Sequence, residues 1–241
     1  YPIHINRILS KMRTVGRLSY EFAQLRFLLD ALGERVLDHL FLRLEMERSR
    51  SMRMFFLDLF RQFGDKTQPL LNRKMRHRDW FVVRNVVYIL GSLGTEIAVH
   101  SLINLLDHQD MRVRREAVRA LARTGGPVAE DALLNLLDDD EPSMRRIAAE
   151  WLGYMGCERA LPELRDRLTR ASRSLNDDDL LIGLVRGIGR LGGRAEAALI
   201  RQCVPRTTAF RSDKKRELGK AGKEALARLE KPALAAEPQR V

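Results

Sequence analysis

Long apolar runs are missing from this chain, and cysteines and aromatics are scarce. No stretch approaches the roughly 20 uninterrupted apolar residues that cross a bilayer. Even Leu102 to Leu106 is broken by Asn104, so no membrane span is expected. The only cysteines, Cys157 and Cys203, stand far apart without CxxC spacing. That argues against a disulfide framework and a zinc site, and it fits a reducing, cytoplasmic setting. Aromatics make up 6% of the residues. Leu, Ala and Arg dominate instead, side chains that lose little rotamer freedom in a helix, so an all-α protein is expected. An apolar content of 45% over 241 residues is enough for a continuous core.

Charge is plentiful but uneven. The net charge is +11, yet residues 1–78 hold 16 basic and 8 acidic side chains, residues 79–156 hold 8 and 12, and residues 157–241 hold 19 and 12. A phosphate-binding stripe would have to cross an acidic centre, so nucleic-acid binding is expected to be weak.

What the chain does have is a repeat. Asp110 to Gly125 aligns with Glu141 to Gly156 at a shift of 31 residues, and Asp79 to Gly94 fits the same frame. Gly33, Gly64, Gly94, Gly125, Gly156 and Gly192 then form a ladder that defines six units. Each unit carries two amphipathic patterns. Val113, Ala117, Ala120 and Leu121 form one before Gly125, and Ala129, Leu133, Leu136 and Leu137 form the other after it. The glycine suits the position that ends a helix in a left-handed conformation. Asp79, Asp110, Glu141 and Asp177 precede first helices, where a carboxylate can cap free N–H groups.

The second helices keep the same register. Ala98, Ala129 and Ala160 are 31 apart, as are Leu102, Leu133 and Leu164, and also Leu106, Leu137 and Leu168. One hairpin of about 30 residues cannot bury such stripes alone, so stacking is required.

The segment Val113-Arg-Arg-Glu-Ala-Val-Arg-Ala-Leu-Ala-Arg-Thr-Gly125 resembles the short HEAT-like repeats also seen in phycobilisome lyases. The resemblance covers about residues 17–205 and is best in units three to five. Units one, two and six drift; in unit three the Arg falls one place later, at Arg84, and in unit six Leu181 stands where the Arg should be. It implies a right-handed α-solenoid of about six tandem helical hairpins.

The expected organisation is a partial N-terminal repeat over 1–16 (a second helix only), six repeats over 17–211, a capping helix over 212–231 and a disordered tail over 232–241. The opening residue is Tyr1 rather than Met, and the first segment reads as half a hairpin, so further sequence upstream is expected. Leu218, Ala221, Ala225 and Leu229 give the capping helix one apolar face.

Several candidate sites have a structural alternative. The arginines Arg53, Arg84, Arg114, Arg115, Arg145 and Arg146 are expected to pair with turn acids such as Asp110 and Glu141 of neighbouring units rather than to form a phosphate track. The acidic runs Asp138 to Glu141 and Asp177 to Asp179 lack the alternating spacing and glycine of an EF-hand loop, so no metal site is expected. The five histidines are scattered and none precedes a Glu. The His-Glu iron ligands of the deoxyhypusine hydroxylases, which are built from similar repeats, are therefore absent. Trp80 and Trp151 are expected to pack rather than to stack on a base. The insertion Thr169 to Asn176 breaks the period and is a candidate recognition loop.

The best binding candidate is a polar position shared by the second helices, occupied by Arg73, Asn104, Asn135 and Asp166, with His100, Ser101 and Asp131 beside it. The resemblance implies that these helices line a concave binding face. The resulting expectation is a non-enzymatic protein-interaction scaffold without cofactor, part of a larger bacterial-type protein and a monomer or weak oligomer. Its alternatives are a nucleic-acid-backbone binder and a bilin-lyase-like subunit.

Overall fold

A computed structural model describes residues 2–16, 19–174, 178–204 and 212–230. These residues form α-helices and short 3-10 turns, with no strand among them. The fold class is all-α, of the α-solenoid type built from tandem helical hairpins. Two compact units, Tyr1–Glu116 and Ala117–Val241, divide the chain.

The first unit contains α1 (Pro2–Met12), α2 (Tyr20–Ala31), α3 (Glu34–Met46), α4 (Arg50–Phe63), α5 (Gln68–Lys74), α6 (Trp80–Leu93) and α7 (Glu96–Asn104), and it ends within α8 (Met111–Thr124). The second continues with α9 (Pro127–Asn135), α10 (Pro142–Tyr154), α11 (Leu161–Ser174), α12 (Asp178–Leu191), α13 (Arg194–Cys203) and α14 (Asp213–Leu229).

Five ladder glycines, Gly33, Gly64, Gly94, Gly125 and Gly156, have φ between 56° and 78°, as a helix end of this kind requires. Gly192 keeps its place for another reason. A Cβ there would crowd Glu196 and the Ile188 carbonyl oxygen, because the next helix begins directly against it. Each in-register Ala and Leu of the second helices is buried, from Ala98, Ala129 and Ala160 to Leu106, Leu137 and Leu168. The 31-residue register is therefore the register of the core.

The expected caps are corrected in part. Asp110 does cap, accepting the Arg112 backbone N–H at 2.9 Å. Asp79 and Glu141 stand at the N-cap of α6 and α10 but make no side-chain capping bond. Side-chain caps are instead made by Ser19, Thr95 and Ser212, each accepting from a backbone N–H three residues on. Asp177 and the proposed tail 232–241 lie outside the described residues, as do 175 and 176 of the insertion. Thr169 to Arg173 continue α11 as helix.

The core of the first unit is filled by bulk. Phe41, Phe56, Phe60, Leu40, Leu59 and Ile89 are all fully buried, and Phe41 meets Phe60 edge-on at 6.4 Å between ring centres. The second unit is built by close approach. A Cβ on Gly187 of α12 would collide with the Ala149 carbonyl oxygen of α10, and one on Gly183 would collide with the Arg146 carbonyl oxygen. These two helices therefore touch backbone to backbone.

Candidate binding surfaces

Part of the arginine ladder holds the fold together: Arg146 pairs with Asp179 at the start of the next unit, as expected, and Arg114 and Arg145 also bind backbone carbonyls. Arg114 donates from Nε to the Leu106 carbonyl at 2.5 Å. Arg145 donates from Nη1 to the carbonyls of Asp139 and Asp140 at 2.8 and 3.1 Å. Both side chains thus satisfy the open carbonyls where the preceding second helix ends. The turn acid Asp110 is held by Arg112 of its own helix, at 3.0 and 2.7 Å. That guanidinium holds the Asp110 carboxyl at about 2, well below the usual carboxylate range.

Arg146 binds carboxylates instead. It reaches Glu150 at 3.2 Å, Asp179 at 3.3 Å and Glu217, joining α10 to α12 and α14. Arg186 closes the network onto Glu150 and Glu217 at 2.7 and 2.9 Å. The Arg146 hydrogen bond is the main cause of a depressed Glu217 carboxyl. Burial pushes Asp179 up, but Lys214 and Arg146 outweigh it and hold that carboxyl below its ordinary value.

The two tryptophans are engaged as well. Arg112 lies over the Trp80 ring at 4.0 Å, with Arg84 at 5.1 Å. Trp151 meets Tyr154 edge-on at 4.7 Å. Cys157 is buried, and its thiol is pushed up by burial and by its bond with Glu130, the opposite of what a nucleophile needs. No group of three or more His, Cys, Asp or Glu side chains among the described residues is arranged to hold a metal ion.

The second-helix candidates fall into three groups. In the first unit Arg73 is exposed and paired with Asp38 at 3.3 Å. In the second, Asp131 is paired with Arg159, and Asp166 with Arg170 at 2.5 Å. Ser101 is buried, donating to the Ile97 carbonyl at 3.0 Å and accepting from Gln68 at 3.0 Å. It therefore lies beneath the surface stripe. His100 is exposed, its Nδ1 placed 2.9 Å from the Glu96 carbonyl. Asn104 of the first unit and Asn135 of the second are exposed, and neither side chain has a partner among the described residues.

One surface was missed from sequence. Tyr20, Phe27 and Leu28 of α2 are 79%, 70% and 50% exposed, and with Ala23 and Gln24 they line an open hollow of about 610 Å³. The signal was present: Phe22, Leu25 and Leu29 form one apolar stripe of α2, so Tyr20, Phe27 and Leu28 make a second on the same helix.

Comparison with known proteins agrees with the repeat. Residues 99–179 match the family of HEAT repeats, and residues 82–108 match the PBS lyase HEAT-like repeat. Two engineered proteins solved by the Northeast Structural Genomics Consortium are similar in structure. One is 13% identical, with 94% of this chain and 96% of that chain covered and a TM-score of 0.43. The other is 14% identical, with 93% and 68% covered and a TM-score of 0.42. At those scores the likeness carries no argument. No curated protein matches the chain. No described helix is long and apolar enough to cross a membrane. The match over residues 82–179 and the burial of the in-register stripes support a HEAT-like repeat family.

Proposed function

We propose that this protein is a non-enzymatic scaffold that binds another protein through the second helices of its hairpins, acting in the cytoplasm. The observation that carries the reading is the state of Asn104 and Asn135. They share one repeat position, are exposed and have amides without a partner among the described residues, while Arg73 and Asp166 at that position are held in ion pairs. A primary amide offers two donors and an acceptor without charge, which suits a polypeptide backbone better than a phosphate. Two cysteines, both free, accord with a reducing compartment.

The test is affinity capture with the full chain, followed by mass spectrometry of what is retained. A protein retained by the native chain and lost when Asn104→Glu and Asn135→Glu are combined supports the proposal. Retention unaffected by that change overturns the site. The nucleic-acid reading is tested by salt. Phosphate contacts lose roughly a thousandfold in affinity between 50 and 200 mM salt when several are made, and duplex DNA is expected to bind weakly and be released near 200 mM. Submicromolar binding at that salt would replace the scaffold reading.

A further inference from the structure

Two cations of the second unit that no carboxylate pairs with among the described residues meet in one place. A groove of about 40 Å³ runs between α12 and α14, lined by the small residues Gly189, Ala221 and Ala225 and by the charged Arg186, Arg190, Glu224 and Arg228. Arg186 is occupied by Glu150 and Glu217. Arg190 and Arg228 are not: among the described residues neither forms an ion pair with a carboxylate, and Arg190 donates from Nη1 to the Arg186 carbonyl at 3.2 Å.

The two guanidiniums are held near each other by elements that cannot separate easily. Gly189 sits directly against Ala225, with its absent Cβ occupying the place where a side chain would strike that alanine. The α12 and α14 backbones are therefore close at the floor of the groove, and the long arginines converge above it. Burial and the neighbouring Arg228 both push the Arg190 guanidinium below its ordinary value. Glu150 pulls the other way but is outweighed, so the guanidinium is only partly compensated. The Tyr154 ring, 63% exposed, lies 5.9 Å from the same guanidinium.

We infer that Arg190 and Arg228 form a binding site for a small oxyanion, a single phosphate or carboxylate group. A group of this kind would accept from both guanidiniums and relieve their repulsion. Planar guanidinium forks match both anions bidentately. The groove is small, about 40 Å³, and suits a compact group such as an oxyanion. Glu224 is the internal competitor. It stands one helical turn before Arg228 on α14 yet forms no ion pair with it among the described residues, so it lowers anion affinity through charge without filling the site. This site is separate from the second-helix surface and does not depend on the scaffold reading.

Inorganic phosphate and glutarate serve as probes, each titrated calorimetrically against the full chain at constant ionic strength set with chloride. One saturable site of roughly millimolar affinity is expected for at least one of them, and whichever binds identifies the chemistry. Arg190→Gln and Arg228→Gln should each weaken that binding by about tenfold, and Glu224→Gln should strengthen it by about threefold. Saturating anion should raise the Tm of the native chain by about 2 °C, and should leave Arg190→Gln unmoved. The three side chains are exposed, so the variants retain the fold. The proposal is overturned if neither probe saturates, or if binding is indifferent to all three substitutions.

Discussion

The two units solve the problem of stacking hairpins in opposite ways. In the first, α4 and α6 bring Phe55, Phe56, Phe60, Val82, Val83, Val86 and Val87 to buried positions, so side-chain volume fills the interior. In the second, Gly153, Gly183, Gly187 and Gly189 remove side chains altogether, and the helices meet at their backbones. Charge follows the same division. The first unit ties distant segments by exposed pairs such as Lys66 with Asp30 and Arg73 with Asp38. The second buries its arginines more deeply, in the Arg146, Glu150, Arg186 and Glu217 network and in the bidentate grip of Arg167 on Asp138 at 2.8 Å. A volume-filled interior is vulnerable to deletion of atoms. A close-approach interior is vulnerable to their addition.

The largest effect should come from removing volume in the first unit. Phe60→Ala is expected to cost about 3–5 kcal/mol, since Phe60 is fully buried and edge-packed on Phe41. Leu133→Ala, in the second unit at the in-register leucine position, should cost about 2–5 kcal/mol. Urea unfolding monitored by circular dichroism measures both. A near-neutral result for either would mean that the position is not part of the stacking core.

Adding one methyl group inverts the comparison. Gly187→Ala should cost about 1–3 kcal/mol because its Cβ meets rigid backbone rather than a movable side chain. Gly64→Ala in the first unit meets no atom within 4 Å but has φ of 56°, so its cost is backbone strain alone, about 1 kcal/mol. If Gly187→Ala proves the milder change, α10 and α12 are farther apart than described.

Acid should separate the units again. Asp138, Asp179 and Glu217 of the second unit all have carboxyls held below their ordinary values by arginine or lysine. In the first unit Asp110 is held at about 2. A depressed carboxyl contributes stability that is complete above its unfolded value and is lost as pH falls through its folded value. Stability should therefore fall as pH drops from about 5 towards 2, with the second unit weakened more because it has three such groups. Amide exchange resolved by residue across that range provides the measurement. Equal loss in both units would show that the Arg146 network contributes little.

Much of this was readable from the 31-residue period, because burial at a fixed helical position repeats whenever the hairpin repeats. Ala98, Ala129 and Ala160 needed nothing but their spacing to be placed in the core. Charge partners do not inherit that period. Arg146 reaches Glu217, 71 residues away in a helix outside the repeat, and no local pattern could name that acid. Arg114 binds a carbonyl within the 3-10 turn that ends the preceding second helix, and Arg145 binds the carbonyls of Asp139 and Asp140 just after the equivalent turn, acceptors that the sequence does not mark. Ser101 looked like a surface residue from its polarity, yet Gln68 covers its hydroxyl from the previous second helix.

The smallest effect on stability should accompany the largest effect on binding. Asn104 and Asn135 occupy the same repeat position, one in each unit, and neither side chain has a partner among the described residues. Replacing either with Glu removes no packing, so the Tm should stay almost unchanged, within roughly 0.5 kcal/mol of stability. The new carboxylates have different neighbours. At 104 the sequence places Asp107 three residues on, and at 135 it places Asp131 and Asp138 within four residues on either side. Repulsion should therefore make Asn135→Glu the more destabilising of the two, by a few tenths of a kcal/mol. Against a partner recovered by capture, each substitution alone should weaken binding measurably and the pair together by about tenfold or more. If only Asn104→Glu acts, the partner is read by the first unit. If only Asn135→Glu acts, it is read by the second. If affinity survives both but collapses when Arg112, Arg119 or Thr169 is changed, the partner uses another face and the second-helix assignment fails.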